Sequence, residues 1–253
     1  MSSKIKFLDI VECSSNSKES AIMVTDSSLI IFLEKMGPRY DLQLMVKRFI
    51  DILCAVFSIL ILSPLMLIIA VIIKLTSEGP VLFRQERLGY QGKKFTFYKF
   101  RSMYVCSDDS IHREYMCKLI KGDDEKINMG SRINPYFKIK NDPRITPFGS
   151  ILRKSSLDEL PQFFNVLMGN MSLVGPRPPI QYEVDKYQSW HKKRVFDVKP
   201  GITGLWQVKG RSQTTFDEMV RLDLQYIRNW NLWLDFKILF NTFKAVFSAK
   251  GAD

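Results

Sequence analysis

The chain has 253 residues, with 37 Lys and Arg against 26 Asp and Glu, a formal charge of +11, two histidines and four cysteines. That length holds one sizeable domain, or one domain with a membrane element, and the charge implies an anionic partner: lipid headgroups, a phosphorylated substrate or nucleic acid. Cys13, Cys54, Cys106 and Cys117 form no paired motif and fit reduced thiols rather than a disulfide framework; with only His112 and His191 a histidine-rich zinc site is not expected.

Residues 1–44 show no sustained hydrophobic period, although Lys4–Val11 and Ser28–Met36 are candidates for local order. They lack a basic segment followed by a long apolar core and a cleavage site, so a secretory signal is not expected, and no role is assigned to them. From Ile52 to Ile73 the chain is uncharged and rich in Ile and Leu. That is long enough to cross a bilayer as one helix, which takes roughly 20 residues. Ser63-Pro64 lies at its centre, where proline removes a backbone donor and predicts a sharp bend. Both flanks are basic, with Lys47 and Arg48 before and Lys74, Arg84, Arg87, Lys93 and Lys94 after. A spanning helix would leave one cluster on the wrong side of the membrane. Two half-helices of about eleven residues reach about 16 Å, close to half the hydrocarbon thickness. The expectation is a re-entrant helix–break–helix over 45–76, with a Pro-kinked spanning helix as the alternative. Ser63 is the side chain placed to satisfy the carbonyl that Pro64 frees. Lys47, Arg48 and Asp51 mark where the helix meets the interface, as membrane anchors with snorkelling heads or as ligands for a lipid phosphate.

Val81–Gly89 and Lys94–Arg101 read as two short strands around a Gly-containing turn. Residues 105–140 are polar, with a surface helix over His112–Lys121 and an acidic loop over Gly122–Glu125 that is a metal candidate by composition alone. Thr146–Gly149 reads as a turn, and Ser150–Lys154 leads into Ser156-Leu-Asp-Glu-Leu-Pro-Gln162. If Ser156 is an N-cap, Glu159 completes a capping box; if Asp158 is the cap, Pro161 falls in the first turn, which is the preferred register. Either register puts Asp158 at the positive end of a helix dipole, favouring an ionised carboxylate fit for a nucleophile or metal ligand. Adjacent helical residues point about 100° apart, so Asp158 and Glu159 can take different roles. Arg153 and Lys154 lie one turn ahead.

The following apolar helix stops at Gly169-Asn170. Met171–Val174 reads as a strand, and Gly175-Pro-Arg-Pro-Pro179 as a rigid loop carrying the Arg177 guanidinium, a fork suited to phosphate. Ile180–Val195 reads as one charged helix and Lys199–Gln207 as a Gly-rich loop into a short strand, without a nucleotide-binding fingerprint. Phe216–Asn229 is an amphipathic helix. Trp230, Trp233, Phe236, Phe240 and Phe243, with Lys237 and Lys244, compose a C-terminal helix suited to a membrane interface or to packing on the core.

Several of these stretches also carry a resemblance. Lys47-Arg48-x-x-Asp51, Phe97-Tyr-Lys-Phe-Arg-Ser-Met103, Asp142-Pro-Arg-Ile-Thr146, Ser156–Gln162, Ser172-Leu-Val-Gly-Pro-Arg-Pro178 and Lys199-Pro-Gly-Ile-Thr-Gly-Leu-Trp-Gln207 are similar to the bacterial sugar transferases, the monotopic phosphoglycosyl transferases. The match runs from about residue 45 to the C-terminus. The expected fold is an α/β, mostly helical, single catalytic domain over 77–253 with a re-entrant membrane helix and interfacial amphipathic helices. The resemblance implies residence at the bacterial inner membrane with the catalytic domain on the cytoplasmic face. It also implies transfer of a sugar 1-phosphate from a UDP-sugar to polyprenyl (undecaprenyl) phosphate, beginning a lipid-linked glycan and releasing UMP. Asp158 would attack the sugar-bearing phosphate, and Glu159 would hold Mg²⁺, the hard ion also expected from the donor chemistry. Arg177, with Lys99, Arg101 and Arg153, would face phosphate or nucleotide. Two rivals are a glycosyltransferase releasing UDP and a non-catalytic membrane scaffold. The apolar hairpin argues against nucleic acid. The sugar and the oligomeric state, a homodimer included, stay open.

Overall fold

A computed structural model describes residues 38–105, 110–130, 135–137, 142–210 and 213–247. The chain divides into two compact units, Met1–Asp41 and Leu42–Asp253. Of the first only residues 38–41 are described, so the candidates Lys4–Val11 and Ser28–Met36 lie outside the described residues.

Helix α1 runs from Pro38 to Thr76 and so begins earlier than residue 45. It is long and apolar enough to cross a membrane by length and composition. Helical backbone continues through Ser63 and Pro64, so the two expected half-helices are not separated by non-helical chain. The reason is local. Pro64 cannot bond the carbonyl of Leu60, and Ser63 Oγ donates to that carbonyl at 2.9 Å instead. Asp51, Ala55, Ile69 and Ile73 are buried along one helical face, while Pro64 lies exposed on the opposite one.

Strands β1 (Leu82–Leu88) and β2 (Lys94–Phe100) pair antiparallel, Leu82 against Phe100 through Leu88 against Lys94. The hairpin turns through Tyr90–Gly92, where Gly92 takes positive φ. Strand β3 (Ser172–Val174) pairs parallel with β4 (Gly201–Thr203), as a second two-stranded sheet. Apart from an isolated Met103–Ile145 bridge, the remaining regular structure among the described residues is helical: α2 (Ser110–Lys121), α3 (Asp124–Ile127), α4 (Pro147–Lys154), α5 (Gln162–Leu167), α6 (Gln181–Val184), α7 (Ser189–Phe196), α8 (Leu205–Lys209), α9 (Phe216–Arg228) and α10 (Leu232–Phe247). The mostly helical expectation holds.

Three local readings change. The acidic loop contains the short helix α3 because Ile127 is buried in the main core with Leu119, Phe137, Val184 and Phe216. Thr146–Gly149 is the capped start of α4: Thr146 Oγ1 accepts from Gly149 N at 2.9 Å, and Pro147 occupies the first turn. The single helix expected over Ile180–Val195 divides into α6 and α7, with Tyr187 buried between them and Gln188 N donating to His191 Nδ1 at 3.2 Å.

A second apolar cluster places the site. Ile69 and Ile73 of α1 pack with Phe100 of β2 and Leu152 of α4, joined at the edge by Leu157 and Leu160. The Asp142–Thr146 motif clamps α4 onto the end of β2. Arg144 forks onto Asp142 at 2.7 and 2.9 Å, Thr146 N donates to Ser102 O, and Gly149 sits so close to Ser102 that a Cβ there would collide with its carbonyl oxygen.

Candidate active site

Helix α4 ends as Ser155 Oγ donates to Ile151 O at 2.8 Å. Ser156 then takes the left-handed region, φ 57°, and Leu157–Glu159 form a single 3-10 turn. Pro161 immediately precedes Gln162, the first residue of α5. Neither expected capping register forms, and Ser156 makes no side-chain cap bond. Burial of Leu157 and Leu160 against the Phe100 cluster sets this turn in place of the capping box. A non-glycine residue held at positive φ stores strain of order 1–3 kcal/mol, which packing on both sides must offset.

The turn buries Asp158 and leaves Glu159 partly exposed. Burial is the larger influence on Asp158 and the Glu159 charge adds to it, pushing the carboxyl up to about 6. Lys99, Arg153 and Arg177 pull the other way. The helix dipole expected to keep Asp158 ionised is therefore not the deciding effect; α5 is short, and desolvation outweighs it. Lys99 is pushed down to about 8, chiefly by burial, against the support of Asp158. Its ammonium lies 5.2 Å from the centre of the Phe83 ring, its cross-strand partner. Arg177 Nη1 reaches Glu159 Oε1 at 3.4 Å. Lys99, Arg153, Asp158, Glu159 and Arg177 line one open cavity of about 2320 Å³.

Arg101 is engaged by backbone carbonyls. It borders the same cavity, but its guanidinium donates to Pro80 O at 2.5 Å and to Ser77 O at 2.7 Å, holding the chain just after α1. Lys47 and Arg48 also turn inward rather than snorkel. Lys47 Nζ pairs with Asp235 at 2.5 Å and donates to Val174 O at 3.1 Å; Arg48 donates to Val166 O and Leu167 O at 2.7 and 3.0 Å. Asp51 accepts from Leu173 N at 3.0 Å. These contacts fasten α1 to α5, β3 and α10, because buried charges and carbonyls near a helix end pair with each other when water is excluded. Ser63 and Pro64 lie far along α1 from these contacts, on the exposed middle of the helix.

Sequence reasoning missed several residues that build the site. Asn165 is fully buried; its Nδ2 donates to Thr96 O at 2.6 Å and its Oδ1 accepts from Tyr98 N at 3.0 Å, tying α5 to the strand that carries Lys99. A polar residue inside the apolar run Phe163–Leu167 was the available signal. Arg87, pushed down to about 10 mainly by burial, donates to Pro178 O at 2.7 Å in the Arg177 loop. Arg194 and Asp223 pair behind that loop, and nothing in their spacing announces it.

Among the described residues no three His, Cys, Asp or Glu side chains converge as a metal cage. Glu159, partly exposed and facing the cavity, fits the other arrangement common for Mg²⁺, in which one carboxylate and substrate phosphates share the ion.

Residues 42–249 match the family profile described as bacterial sugar transferase. An undecaprenyl-phosphate galactose phosphotransferase of Salmonella typhimurium is 42% identical over 90% of this chain and 47% of its own length. A UDP-glucose:undecaprenyl-phosphate glucose-1-phosphate transferase of Klebsiella pneumoniae is 41% identical over 85% of this chain and 43% of its own length. The chain thus spans about half of these relatives. The exopolysaccharide production protein ExoY of Rhizobium meliloti is 37% identical over 89% of this chain and 96% of its own length. With the profile covering both the docked helix and the acidic turn, the chain belongs to the bacterial sugar transferase family.

Proposed function

We propose that the protein transfers a sugar 1-phosphate from a UDP-sugar to undecaprenyl or a related polyprenyl phosphate at a membrane surface, the first step of a lipid-linked glycan. The observation that carries the reading is a buried carboxylate, Asp158, faced by three cations from separate elements, Lys99, Arg153 and Arg177. Phosphoryl transfer requires positioning and charge neutralisation, and this wall supplies both. The activities for which the Salmonella and Klebsiella relatives are named support the substrate classes.

In this reading Asp158 Oδ attacks the phosphorus that carries the sugar. The bond from that phosphorus to the bridging oxygen breaks, and UMP leaves with the bonding pair. An oxygen of polyprenyl phosphate then attacks the same phosphorus, the aspartyl bond breaks, and the carboxylate is regenerated with a diphosphate-linked sugar as product. Arg177 and Lys99 steady the phosphate oxygens, while Glu159 is the residue that would hold Mg²⁺, which supplies further neutralisation of diphosphate charge when bound.

The helix geometry supports re-entrant insertion from the cytoplasmic leaflet. Residues 47–51 and 69–73 of α1 both dock on the catalytic unit, whereas Phe57, Leu60, Ile61, Leu67 and Ile68 between them are exposed. Pro64 lies opposite the docked face, where a proline opens the helix and makes that side convex. Trp233, Phe236, Phe240 and Phe243 of α10 add an exposed aromatic face, and Lys47–Asp235 links that helix to α1. A shallow insertion brings a lipid phosphate to the level of a cavity open to a soluble nucleotide sugar.

The test is the nucleotide released when nanodisc-held protein meets a panel of UDP-sugars with Mg²⁺ and polyprenyl phosphate. UMP supports the reading and the productive sugar identifies the donor. UDP would assign a glycosyltransferase, and no release from any sugar would favour a scaffold.

A further inference from the structure

The loop that carries Arg177 is held almost entirely by its carbonyls. Pro176, Pro178 and Pro179 have no N–H, and four consecutive carbonyl oxygens are each taken by a donor. Gly201 N donates to Pro176 O at 2.9 Å and Leu88 N to Pro179 O at 3.0 Å. Arg87 Nη1 donates to Pro178 O at 2.7 Å, its own fork held by Gln85 Oε1 and its plane 4.3 Å from the centre of the Phe97 ring. Arg194 Nη2 donates to Arg177 O at 3.3 Å. By contrast the Arg177 side chain is 40% exposed, and its one ion pair among the described residues, to Glu159, is long. The firmly held part is thus the loop backbone from which that side chain projects.

Arg194 of α7 is buried and pairs with buried Asp223 of α9 at 2.8 Å; the two side chains are 6% and 1% exposed. Neither its Nε nor Asp223 Oδ2 has a hydrogen-bond partner among the described residues, so the pair is a close charge contact. A buried ion pair with an unsatisfied N–H is a poor stabiliser, because desolvation offsets most of the attraction, and apolar replacements of similar volume are often as stable or more so. What this pair does that an apolar pair would not is donate to the carbonyl of Arg177.

We propose that Arg194, oriented by Asp223, is a positioning residue that fixes the Arg177 guanidinium on the phosphate-binding wall beside Glu159. The proposal rests on the phosphate role given to Arg177 above. It separates the two helices' contribution to the core, which apolar residues can replace, from their contribution to the site, which they cannot.

The test is the double replacement Arg194→Met with Asp223→Leu in the full chain held in nanodiscs. The expected protein melts cooperatively at or above the native temperature, loses about 100-fold in kcat, as a displacement near 1 Å can cause, and keeps its KM for polyprenyl phosphate. Placed on Arg177→Ala, the same double replacement should cost little more, since the group it positions is gone. A structure of the double variant should show residues 175–179 displaced and Arg177 turned away from Glu159. Should the double variant fail to fold, Arg194→Lys, which keeps a charge for Asp223 but ends in a shorter side chain than the one whose Nη2 reaches both Asp223 and Arg177 O, is expected to fold and to show the same drop in kcat. A stable variant with native kcat, a drop that multiplies fully with that of Arg177→Ala, or an undisplaced loop would overturn the proposal. If the native protein releases no nucleotide from any UDP-sugar, the functional reading fails, and the loop position in the variant structure alone decides the positioning proposal.

Discussion

At Asp158 burial and Coulomb attraction oppose each other, and their balance places its titration near 6. A nucleophilic carboxylate must be ionised, so kcat/KM should rise with pH through about 6; Lys99 loses its charge above about 8, so the profile should fall again on the alkaline side. Replacing Lys99 by Met removes a cation that lowers the Asp158 titration. The acid limb should therefore move to higher pH and the alkaline limb should fade, both read from pH profiles. Asp158→Asn should lower turnover by on the order of 10⁴-fold or more, with the melting temperature unchanged or raised, since a buried charge near Glu159 is removed. Full turnover by that variant, measured as UMP release, would end the covalent reading.

Among the elements, two residues inside otherwise apolar helices fix how those helices sit. Asn165 pins α5 to β2. Asn165→Ala leaves Thr96 O and Tyr98 N without their partner, at about 1–3 kcal/mol for each unpaired buried group, which urea or thermal denaturation in nanodiscs should show. In α1, Pro64→Leu restores the missing donor to Leu60 O and removes the ring that, on the re-entrant reading proposed above, bends the helix. A straighter helix should cross the bilayer, so a single cysteine placed at position 42 should become reactive from the periplasmic side. Labelling from the cytoplasmic side alone, in both native and variant, would mean that Pro64 does not set the topology.

Across the molecule, many of the exposed apolar residues lie on α1 and on the two helices, α5 and α10, that are joined to it. Met45 and Phe49 of α1, Phe164 and Met168 beside α5, and Trp233, Phe236, Phe240 and Phe243 of α10 are all exposed, and Arg48 and Lys47 join these helices from the inside. Exposed apolar side chains on α10 with Lys237 and Lys244 on the same helix suit a bilayer surface. Trp233→Ser with Phe240→Ser should weaken partition of the protein onto vesicles. Each aromatic contributes up to about 1.5–3 kcal/mol when buried, so binding should fall about ten-fold or more in a flotation assay. Unaltered flotation would limit membrane contact to α1.

The long apolar helix, the hairpin and the family are all legible in the residues alone, because they depend on local pattern: an uncharged run, a period of two, and motifs of contiguous residues. Ser63 is likewise identifiable as the partner for the carbonyl that Pro64 frees, since that bond lies within one helical turn. What local pattern leaves undecided is long-range. The resemblance puts Arg101 on the active-site side, and its neighbours in sequence give no sign of its carbonyl partners, which lie more than twenty residues away. Lys47 and Arg48 read as snorkelling anchors, and it takes the return of α5 and α10 to give them acceptors inside the protein. The titration of Asp158 escapes local pattern for the same reason. A cap and a dipole are visible in a few consecutive residues, whereas desolvation depends on everything that packs around the turn, and it is the folded chain that brings those groups together.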